Sequence, residues 1–571
     1  MSMPATFLSF PRELAECVHQ RRKRMASFAQ GACQPCYHSQ QQHHHQHRPR
    51  WSLNDLSSEL LALIFEQLRD IDSQYVSTAR LLCQRFNQIA IPIAYKTLVL
   101  TERIVAQDAG LHFPQALEHI SAHTNHVVAR SDLDPAGIKR ILERIRRLCS
   151  VRWRYVDKAV RSGRLWLPSD ILNAEQTRYN RTKLYVEELP LRDFEGEMRN
   201  TYLRAIPIDL LVSLKMAHPA PPLVTRLNSL KHLLLSARQL ETLHFDDRGQ
   251  GTQFDFAPHE RLPPLRELTL RSYDWRHSAE EVSRHWDFSR ITSLELISVP
   301  VFNFLNSVSF HELANLQTLH CEDFSAHLPD LRIEATRRLN LLVRSYIRAL
   351  STLQITVHTY HFPIDALLSH ARTLTTLRLR DHTGFAEEDR RCPTVYHEDL
   401  AMLAANMRQV QVLELDMDVV HTDPPQFLRA VCAFPALHTL TLHVQTVLHP
   451  FEVLHPGADR DRDASMRTLQ FLVRNKAGAV PWRSITINVG GWKKFMVRRL
   501  SEPWRRQNER GVFAERCFVL ERNAGTGEMS VREEVAVEAS RQATPENEDE
   551  DEDEGEGEGE DEDEEMSSDD E

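Results

Sequence analysis

A short apolar pattern, L-x-x-L-x-L, recurs along most of this chain and limits the folds that are open to it. Through residue 374 its copies begin 24 to 34 residues apart. The copies, of which the second and the last are degenerate, begin at Leu148, Arg181, Leu211, Leu240, Leu265, Ile291, Leu316, Leu350, Leu374, Val410, Leu437 and Trp482. The last two apolar positions of each copy lie two residues apart, so in a strand they face the same side. One copy cannot bury that side alone, whereas a stack of copies forms a continuous core.

The pattern and its step resemble leucine-rich repeats, in which a short strand is followed by a helix or a turn. This resemblance implies an α/β solenoid, shaped as a horseshoe, over residues 97–490. A ligand is expected on the concave strand face, where the variable side chains of each copy point outward. A basic patch beside an acidic one predicts a protein target of mixed charge, whose identity the sequence leaves open. The candidate target-binding residues are Arg152, Arg154, His244, Arg271, His320, Arg378, Arg380, Glu414 and Asp416.

A second feature is a compact helical stretch at residues 51–96. One apolar stripe recurs every four residues, a spacing that keeps its members near one face of a helix: Leu56, Leu60, Ile64 and Leu68. Ser57 suits the start of that helix as a cap, and Glu59 lies in its first turn. A second stripe predicts another helix: Val76, Ala79, Cys83 and Phe86. A module this small is near the size at which a domain needs a neighbour, so we expect another protein to cover part of its apolar surface.

These two stripes resemble the two halves of an F-box, the first from Leu53 to Leu68 and the second from Ala79 to Ala90. The continuation from residue 91 to residue 98 is similar to F-box proteins of filamentous fungi. That family usually has Leu-Pro where this chain has Leu56-Ser57, but proline and serine both suit a helix start. The resemblance implies a three-helix module, and an F-box followed by leucine-rich repeats is a known arrangement.

By this resemblance the chain is the substrate-recognition subunit of an SCF-type (Skp–cullin–F-box) ubiquitin ligase. It would bind a Skp-type adaptor and the cullin complex, while catalysis would belong to other subunits. The adaptor-binding residues would be Leu56, Glu59, Leu60, Ile64, Leu68, Leu82 and Phe86. Two alternatives stay open: an F-box protein that acts outside a ligase, and a nuclear repeat scaffold that bridges partners through a basic arm and an acidic tail.

The composition and the motifs argue against catalysis. Glycine accounts for 18 of 571 residues, and neither glycine-rich phosphate-binding motif is present. The chain also lacks H-E-x-x-H, G-x-S-x-G and a kinase-like series, so we expect no enzyme and no cofactor. Cys33, Cys36 and His38 are zinc-ligand types, but no second pair closes the site and no metal is expected. Without a membrane span or a signal peptide, a cytoplasmic or nuclear protein is expected.

Charge is distributed unevenly along the chain. The formal net charge is −11, yet residues 546–571 contain 19 acidic and no basic residues, leaving 69 − 61 = +8 elsewhere. We predict disorder for residues 1–50, which are basic and Gln/His-rich, and for the acidic residues 523–571. The basic cluster at residues 21–24 is a weak match to a nuclear import signal. Residues 491–522 mix basic pairs with Trp492, Phe495 and Trp504, which favours a cap on the last repeat over nucleic-acid binding.

Overall fold

The computed structural model describes the chain between residues 52 and 535, with gaps. The described ranges are residues 52–156, 166–172, 179, 181–190, 206–217, 228–247, 252–323, 329–385, 391–447, 459–490, 516–523 and 525–535. The predictions for residues 1–50, for the acidic run 546–571 and for residues 491–515 of the connector lie outside them.

The amino-terminal module consists of a short 3-10 turn and three helices. These are Leu53–Asp55, α1 (Ser58–Ile71), α2 (Ser73–Ala79) and α3 (Gln84–Tyr95). The Ser57 hydroxyl accepts the Leu60 N–H at 3.3 Å and caps α1, as its place in the sequence predicted. Asp72 separates α1 from α2, because its carboxylate accepts the Gln74 N–H at 2.8 Å and starts the new helix.

The inner faces of these helices enclose a small core of their own. Its buried residues are Leu61, Phe65, Val76, Ala79, Phe86, Ala90 and Ile93. The rings of Phe65 on α1 and Phe86 on α3 meet edge to face with their centroids 5.4 Å apart. This core is distinct from the larger core of the sheet that follows.

The rest of the described chain is a mixed α/β structure around one open sheet of sixteen strands, which lie side by side in sequence order. The strands are β1 (Thr97–Val99), β2 (His126–Arg130), β3 (Ser150–Arg154), β4 (Lys183–Pro190), β5 (Leu211–Ala217), β6 (Thr242–Asp246), β7 (Glu267–Arg271), β8 (Ser293–Val299), β9 (Thr318–Asp323), β10 (Thr352–Val357), β11 (Thr376–Asp381), β12 (Val412–Met417), β13 (Thr439–Val444), β14 (Ser484–Val489), β15 (Arg516–Arg522) and β16 (Met529–Val535). Strands β1 to β14 pair in parallel, and β15 and β16 add an antiparallel hairpin.

Although the described residues 252–266 between β6 and β7 form no helix, helical segments connect most of the consecutive parallel strands. They are α4 (Glu102–Val105), α5 (Ala109–His112), α6 (Pro114–His123), α7 (Pro135–Arg144), α8 (Pro168–Ile171), α9 (Asn228–Ser236), α10 (Ala279–His285), α11 (Val301–Ser307), α12 (Pro329–Ser345), α13 (Asp365–Leu368), α14 (His397–Asn406), α15 (Pro424–Cys432) and α16 (Arg460–Asn475). Short 3-10 turns lie at Ile208–Leu210, Phe310–Leu313 and Thr359–His361. A parallel pair needs such a crossover, because the chain must return to the same edge of the sheet before each new strand.

Most strands of the repeat alternate between buried and more exposed side chains over at least part of their length, whereas β7 has three consecutive buried residues. In β10, Leu353, Ile355 and Val357 are buried, whereas the residues between them are partly exposed. Leu353 pairs with Leu319 of β9 and Leu377 of β11, so the apolar positions of successive copies stack. The stacked positions join one core that extends from Leu98 to Val531. The sequence predicted a strand at the last two apolar positions of each copy. The structure confirms this strand for the copies that begin at Leu316, Leu350 and Leu374.

Buried aspartates tie loops to the carboxyl ends of the strands. The Asp381 carboxylate, which ends β11, accepts the N–H groups of Thr359 and Thr383, both at 2.8 Å. Asp418, just after β12, accepts the Cys392 N–H at 3.1 Å and the Val420 N–H at 2.9 Å. These hydrogen bonds satisfy buried backbone donors that the turns would otherwise leave without a partner.

The sheet extends beyond the pattern at both ends. Strands β1 and β2 lie before the first copy, which begins at Leu148. They bury Leu98 and Val127 although their sequences lack the full L-x-x-L-x-L pattern. The prediction of disorder from residue 523 is wrong for β16, which pairs along its whole length with β15 and buries Val531. The acidic composition that suggested disorder is concentrated after residue 545, and the hairpin lies before it.

Within the described ranges, no helix is both long enough and apolar enough to cross a membrane.

Candidate protein-docking surfaces

Helix α1 carries apolar residues on two different faces. Leu61 and Phe65 point into the module core and are 1% and 4% exposed. Leu60 and Ile64, one residue earlier in each case, are 50% and 36% exposed, and Leu63 is exposed beside them. Because each residue turns the helix by 100°, the pairs 61/65 and 60/64 lie on adjacent faces. One face of α1 thus closes the module, and the other presents leucine and isoleucine to solvent.

The predicted adaptor-binding residues divide between these two environments. Leu60, Ile64 and Leu82 are exposed, as is Glu59 in the first turn of α1. Leu56 and Leu68 are half-buried against the module core. Phe86 is buried in that core, so its assignment to the binding surface is wrong and its contacts are with Phe65. A stripe of every fourth residue advances by 40° per step, which is why the predicted stripe passes from the open face to the closed one.

Several exposed apolar residues of the module escaped the sequence reasoning. They are Leu53, Leu63, Ile71, Tyr75 and Leu81. Leu81 is the most exposed of the set and lies beside Leu82 in the turn between α2 and α3. The signal available in the sequence was the apolar run from Leu60 to Phe65, which is too continuous for a helix with a single buried face. Together with Leu60, Ile64 and Leu82, these five residues are called the open face of the module below.

Arg85 fastens the start of the module to α3. Its guanidinium donates to the carbonyl oxygens of Asn54 and Leu56, the latter at 2.6 Å. This contact holds the 3-10 turn against the beginning of α3, so that Leu53 keeps a defined place on the open face.

Two acidic side chains lie at the start of the module. The pKa of Asp55 is lowered, chiefly because the Ser52 N–H donates to its carboxylate at 2.7 Å. The pKa of Glu59 is lowered by a hydrogen bond from its own backbone N–H and by the Ser57 hydroxyl. Both carboxylates are therefore ionised at neutral pH, and they place negative charge next to the open face.

The predicted target-binding residues on the sheet form ion pairs across neighbouring strands. Arg152 lies 3.3 Å from Glu187 of β4, and Arg154 lies 3.0 Å from Glu188. Arg271 lies farther, at 3.9 Å, from Asp246 of β6. These arginines are about half exposed, so each retains donor groups that face solvent.

His320 lies between two acidic residues of the same face. Its Nε2 is 2.8 Å from Glu322, and its Nδ1 is 3.9 Å from Glu295. Burial lowers the pKa of His320, but its interactions with the two carboxylates outweigh burial and the net shift is upward. Burial next to Lys215 lowers the pKa of His244, which lies on β6 of the same sheet. The sheet therefore holds two histidines whose pKa values are shifted in opposite directions.

A denser polar cluster spans β11 to β13. Arg378 lies 3.5 Å from Glu414, and Arg380 lies 2.9 Å from Asp416. Glu414 also contacts His443 at 2.8 Å, a residue that the sequence reasoning did not select. The four predicted residues are brought together, but in pairs of opposite sign. Their charges largely compensate one another, so the expected contrast between a basic patch and an acidic patch is weak here.

In the described parts of the chain, no group of three or more His, Cys, Asp or Glu residues is arranged to hold a metal ion. No protein-family model and no curated protein matches this chain. The case for a function consequently depends on the surfaces described above.

Proposed function

We propose that this chain is a non-catalytic substrate receptor whose amino-terminal module is an F-box. In this proposal the open face of the module binds a Skp-type adaptor within a cullin-based ubiquitin ligase. The sheet, a solenoid of leucine-rich-repeat type, binds the target protein. The observation that carries the proposal is the pair of apolar faces on α1, of which one is sealed by α2 and α3 and the other is exposed.

The exposed leucines support docking to another protein. Isolated apolar residues are normal on protein surfaces, whereas several on one small module indicate a binding surface. Leu60, Leu63 and Ile64 occupy adjacent positions on α1. Leu81 and Leu82 lie in the turn between α2 and α3. Helical modules of this kind bind through a few apolar anchors that enter pockets of the partner.

The repeat supports a leucine-rich-repeat solenoid. Thirteen strand pairings, from β1–β2 to β13–β14, are parallel and sequential, and helical segments close most of the coils between them. Each strand from β2 to β14 contributes two or three apolar residues to one shared core, as in Leu377 and Leu379 of β11. Such an array presents one long face of strand side chains, which suits recognition of an extended protein surface.

The chemical contribution of such a receptor is proximity. A target held on the sheet has its lysines at high local concentration near an activated ubiquitin carried by another subunit. This role needs no catalytic group in the chain itself. The ion-paired side chains of β11 to β13 would provide specificity through complementary charge.

The test is a binding measurement with the purified chain and a purified Skp-type adaptor. The variant L60A/I64A truncates two residues of the open face. A fully buried side chain contributes about 1.5–3 kcal/mol, and Leu60 and Ile64 are already partly buried in the free chain. We therefore expect the variant to bind the adaptor at least tenfold more weakly. The control variant L341A/M402A truncates Leu341 of α12 and Met402 of α14, which are similarly exposed elsewhere. The control should bind like the unmodified chain.

An equal affinity for the open-face variant and the unmodified chain, by titration calorimetry, would place the docking surface elsewhere. Adding the amino-terminal domain of a cullin to the preformed pair then separates two functions. A ternary complex is expected for a ligase receptor, whereas a chain that binds the adaptor but excludes the cullin acts outside a ligase.

A further inference from the structure

The amino edge of the sheet is a regular row of backbone hydrogen bonds. The residue before a strand accepts two N–H groups from the next coil in most of the sheet, as Glu241 does from Arg266 and Glu267, and Gln317 from Ser351 and Thr352. The same arrangement holds at Thr375, Gln411 and His438, the last of which accepts the N–H groups of Arg483 and Ser484. Residues just before these positions therefore lie in a row along one edge, spaced by the strand separation of about 4.8 Å.

An arginine recurs at a fixed place in this row. In five coils the residue four positions before the strand is arginine: Arg146, Arg238, Arg348, Arg372 and Arg408. A partly or fully buried leucine or valine follows two residues later, as Leu350 and Leu374 do, and anchors the segment. All five arginine side chains are exposed. The coils that end in β7 and β8 lack an arginine at that position. They have Arg266 and Arg290 instead, one and three residues before the strand.

These seven arginines are called the arginine edge below: Arg146, Arg238, Arg266, Arg290, Arg348, Arg372 and Arg408. The centre of the arginine edge is concave. A depression of about 640 Å³ is lined by Arg266, Arg290 and Arg348, by the polar residues Thr292, Asn315 and Gln317, and by Ala314, Leu316 and Ala349. The three arginines carry a permanent positive charge and are hydrogen-bond donors, as are the side-chain amides of Asn315 and Gln317. Such a surface fits a ligand that presents many carboxylates or phosphates.

The arginines of this edge differ from those on the face of the sheet. Arg378 and Arg380 on the face pair with carboxylates of the neighbouring strand. Arg266 approaches Glu241 at 3.9 Å. Among the residues that the structure describes, Arg290, Arg348, Arg372 and Arg408 form no ion pair. The positive charge of the edge is thus largely uncompensated by the coils that carry it.

We propose that the arginine edge binds the acidic carboxyl-terminal segment of its own chain, residues 546–571. This segment has 19 carboxylates and no basic residue, so it complements the edge in charge. A segment in the same chain is present at an effective concentration that a separate acidic protein does not reach. The tail therefore occupies the edge first, and any other acidic ligand must displace it.

The length of the chain permits this contact. Strand β16 runs in the direction of β14, so the chain leaves it at the carboxyl edge, about 23 Å from the amino edge at ~3.3 Å per residue. Residues 536–545 span at most about 35 Å when extended, enough to cross that width. The acidic segment then extends to about 85 Å, whereas β7 lies nine strands away, at about 43 Å.

The experiment uses a fluorescent synthetic peptide with the sequence of residues 546–571. The peptide is titrated into the full chain and into a chain that ends at residue 545. We expect the shortened chain to bind the peptide at least tenfold more tightly than the full chain does. Binding should weaken steeply as the salt concentration rises, because the contacts are between exposed charges. Equal affinities of the two chains would overturn the proposal.

Charge reversal locates the site on the shortened chain. R348E/R372E/R408E should reduce peptide affinity at least tenfold, while R337E/R429E/R467E, at exposed arginines of α12, α15 and α16, should leave it unchanged. Equal losses in both variants would show attraction to charge alone and contradict the proposal. So would tighter binding of a single-stranded RNA of equal charge by the full chain, which would make the edge a nucleic-acid site.

A second measurement does not depend on substitutions. Hydrogen exchange at the amides of residues 345–351 and 372–376 should be faster in the shortened chain than in the full chain, since the tail no longer covers them. Identical exchange in the two chains would also contradict docking of the tail on this edge.

Discussion

Arg380 on β11 and Asp416 on β12 form an ion pair across neighbouring strands, with 2.9 Å between the guanidinium and the carboxylate. The other Asp416 oxygen accepts the Asp381 N–H at 2.7 Å. The side chains are 15% and 3% exposed. Both were expected to contact a target, but Asp416 is occupied by the strand beside it. Its main contribution is to join the carboxyl ends of two coils.

Replacing Asp416 by alanine should therefore destabilise the fold. The change leaves Arg380 partly buried without its partner, which typically costs about 3–5 kcal/mol. Urea unfolding monitored by circular dichroism measures the loss. The control is E280A, which breaks the exposed Arg284–Glu280 pair of α10 and should cost below about 1 kcal/mol. Equal stabilities for both variants would mean that the Asp416 pair is not structural.

Arg85 should determine how well the start of the module is ordered. In R85M the donors to the Asn54 and Leu56 carbonyls are lost, although the side chain keeps a similar length. Hydrogen bonds from a charged donor contribute about 1.5–3 kcal/mol, so residues 52–57 should exchange their amides faster. The control is R69M, which removes the ion pair between Arg69 and the adjacent Asp70. In R69M the amide exchange of residues 52–57 should be unchanged. Unaltered exchange in R85M would show that the turn is held by other contacts.

Lys476 should make stability depend on alkaline pH. It is buried, its ammonium donates to the Phe434 carbonyl at 2.9 Å, and burial lowers its pKa to about 8. Between pH 8 and 10.5 the unfolded chain binds more protons at this residue, so the stability that it contributes rises with pH. The full gain is roughly 3 kcal/mol for a shift of this size.

The measurement for Lys476 is a comparison with K476M. Thermal unfolding of both proteins is followed from pH 7 to pH 10.5, and other titrating groups cancel in the difference. The stability of the unmodified chain relative to K476M should increase over that interval. A difference that stays constant with pH would contradict the assignment of a lowered pKa to Lys476.

The strands of the repeat were predictable because their signal is local. The alternation in copies such as Leu374-x-x-Leu377-x-Leu379 depends on neighbouring residues alone. Strand β1, with three residues, is too short to show it. The β15–β16 hairpin depends on pairing with β14, from which residues 490–515 separate it in the sequence. Pairing over that distance leaves no local signal in the sequence.

The candidate surfaces were predictable only in part. Which face of α1 is buried depends on how α2 and α3 pack, so the choice of Leu61 over Leu60 is not visible in the spacing. The partner of Arg380 lies 36 residues away, on a coil whose length varies along the repeat. The arginine edge was missed because its residues lie outside the apolar positions of the pattern and belong to no stripe of their own.

The most direct test of the account is hydrogen exchange of the full chain with and without a saturating Skp-type adaptor. We predict slower exchange in Leu53–Asp55, in α1 and at residues 80–82, with the strands β3 to β14 unchanged. Protection confined to the strands, or absent from α1 while the adaptor is bound, would contradict docking through the open face of the module.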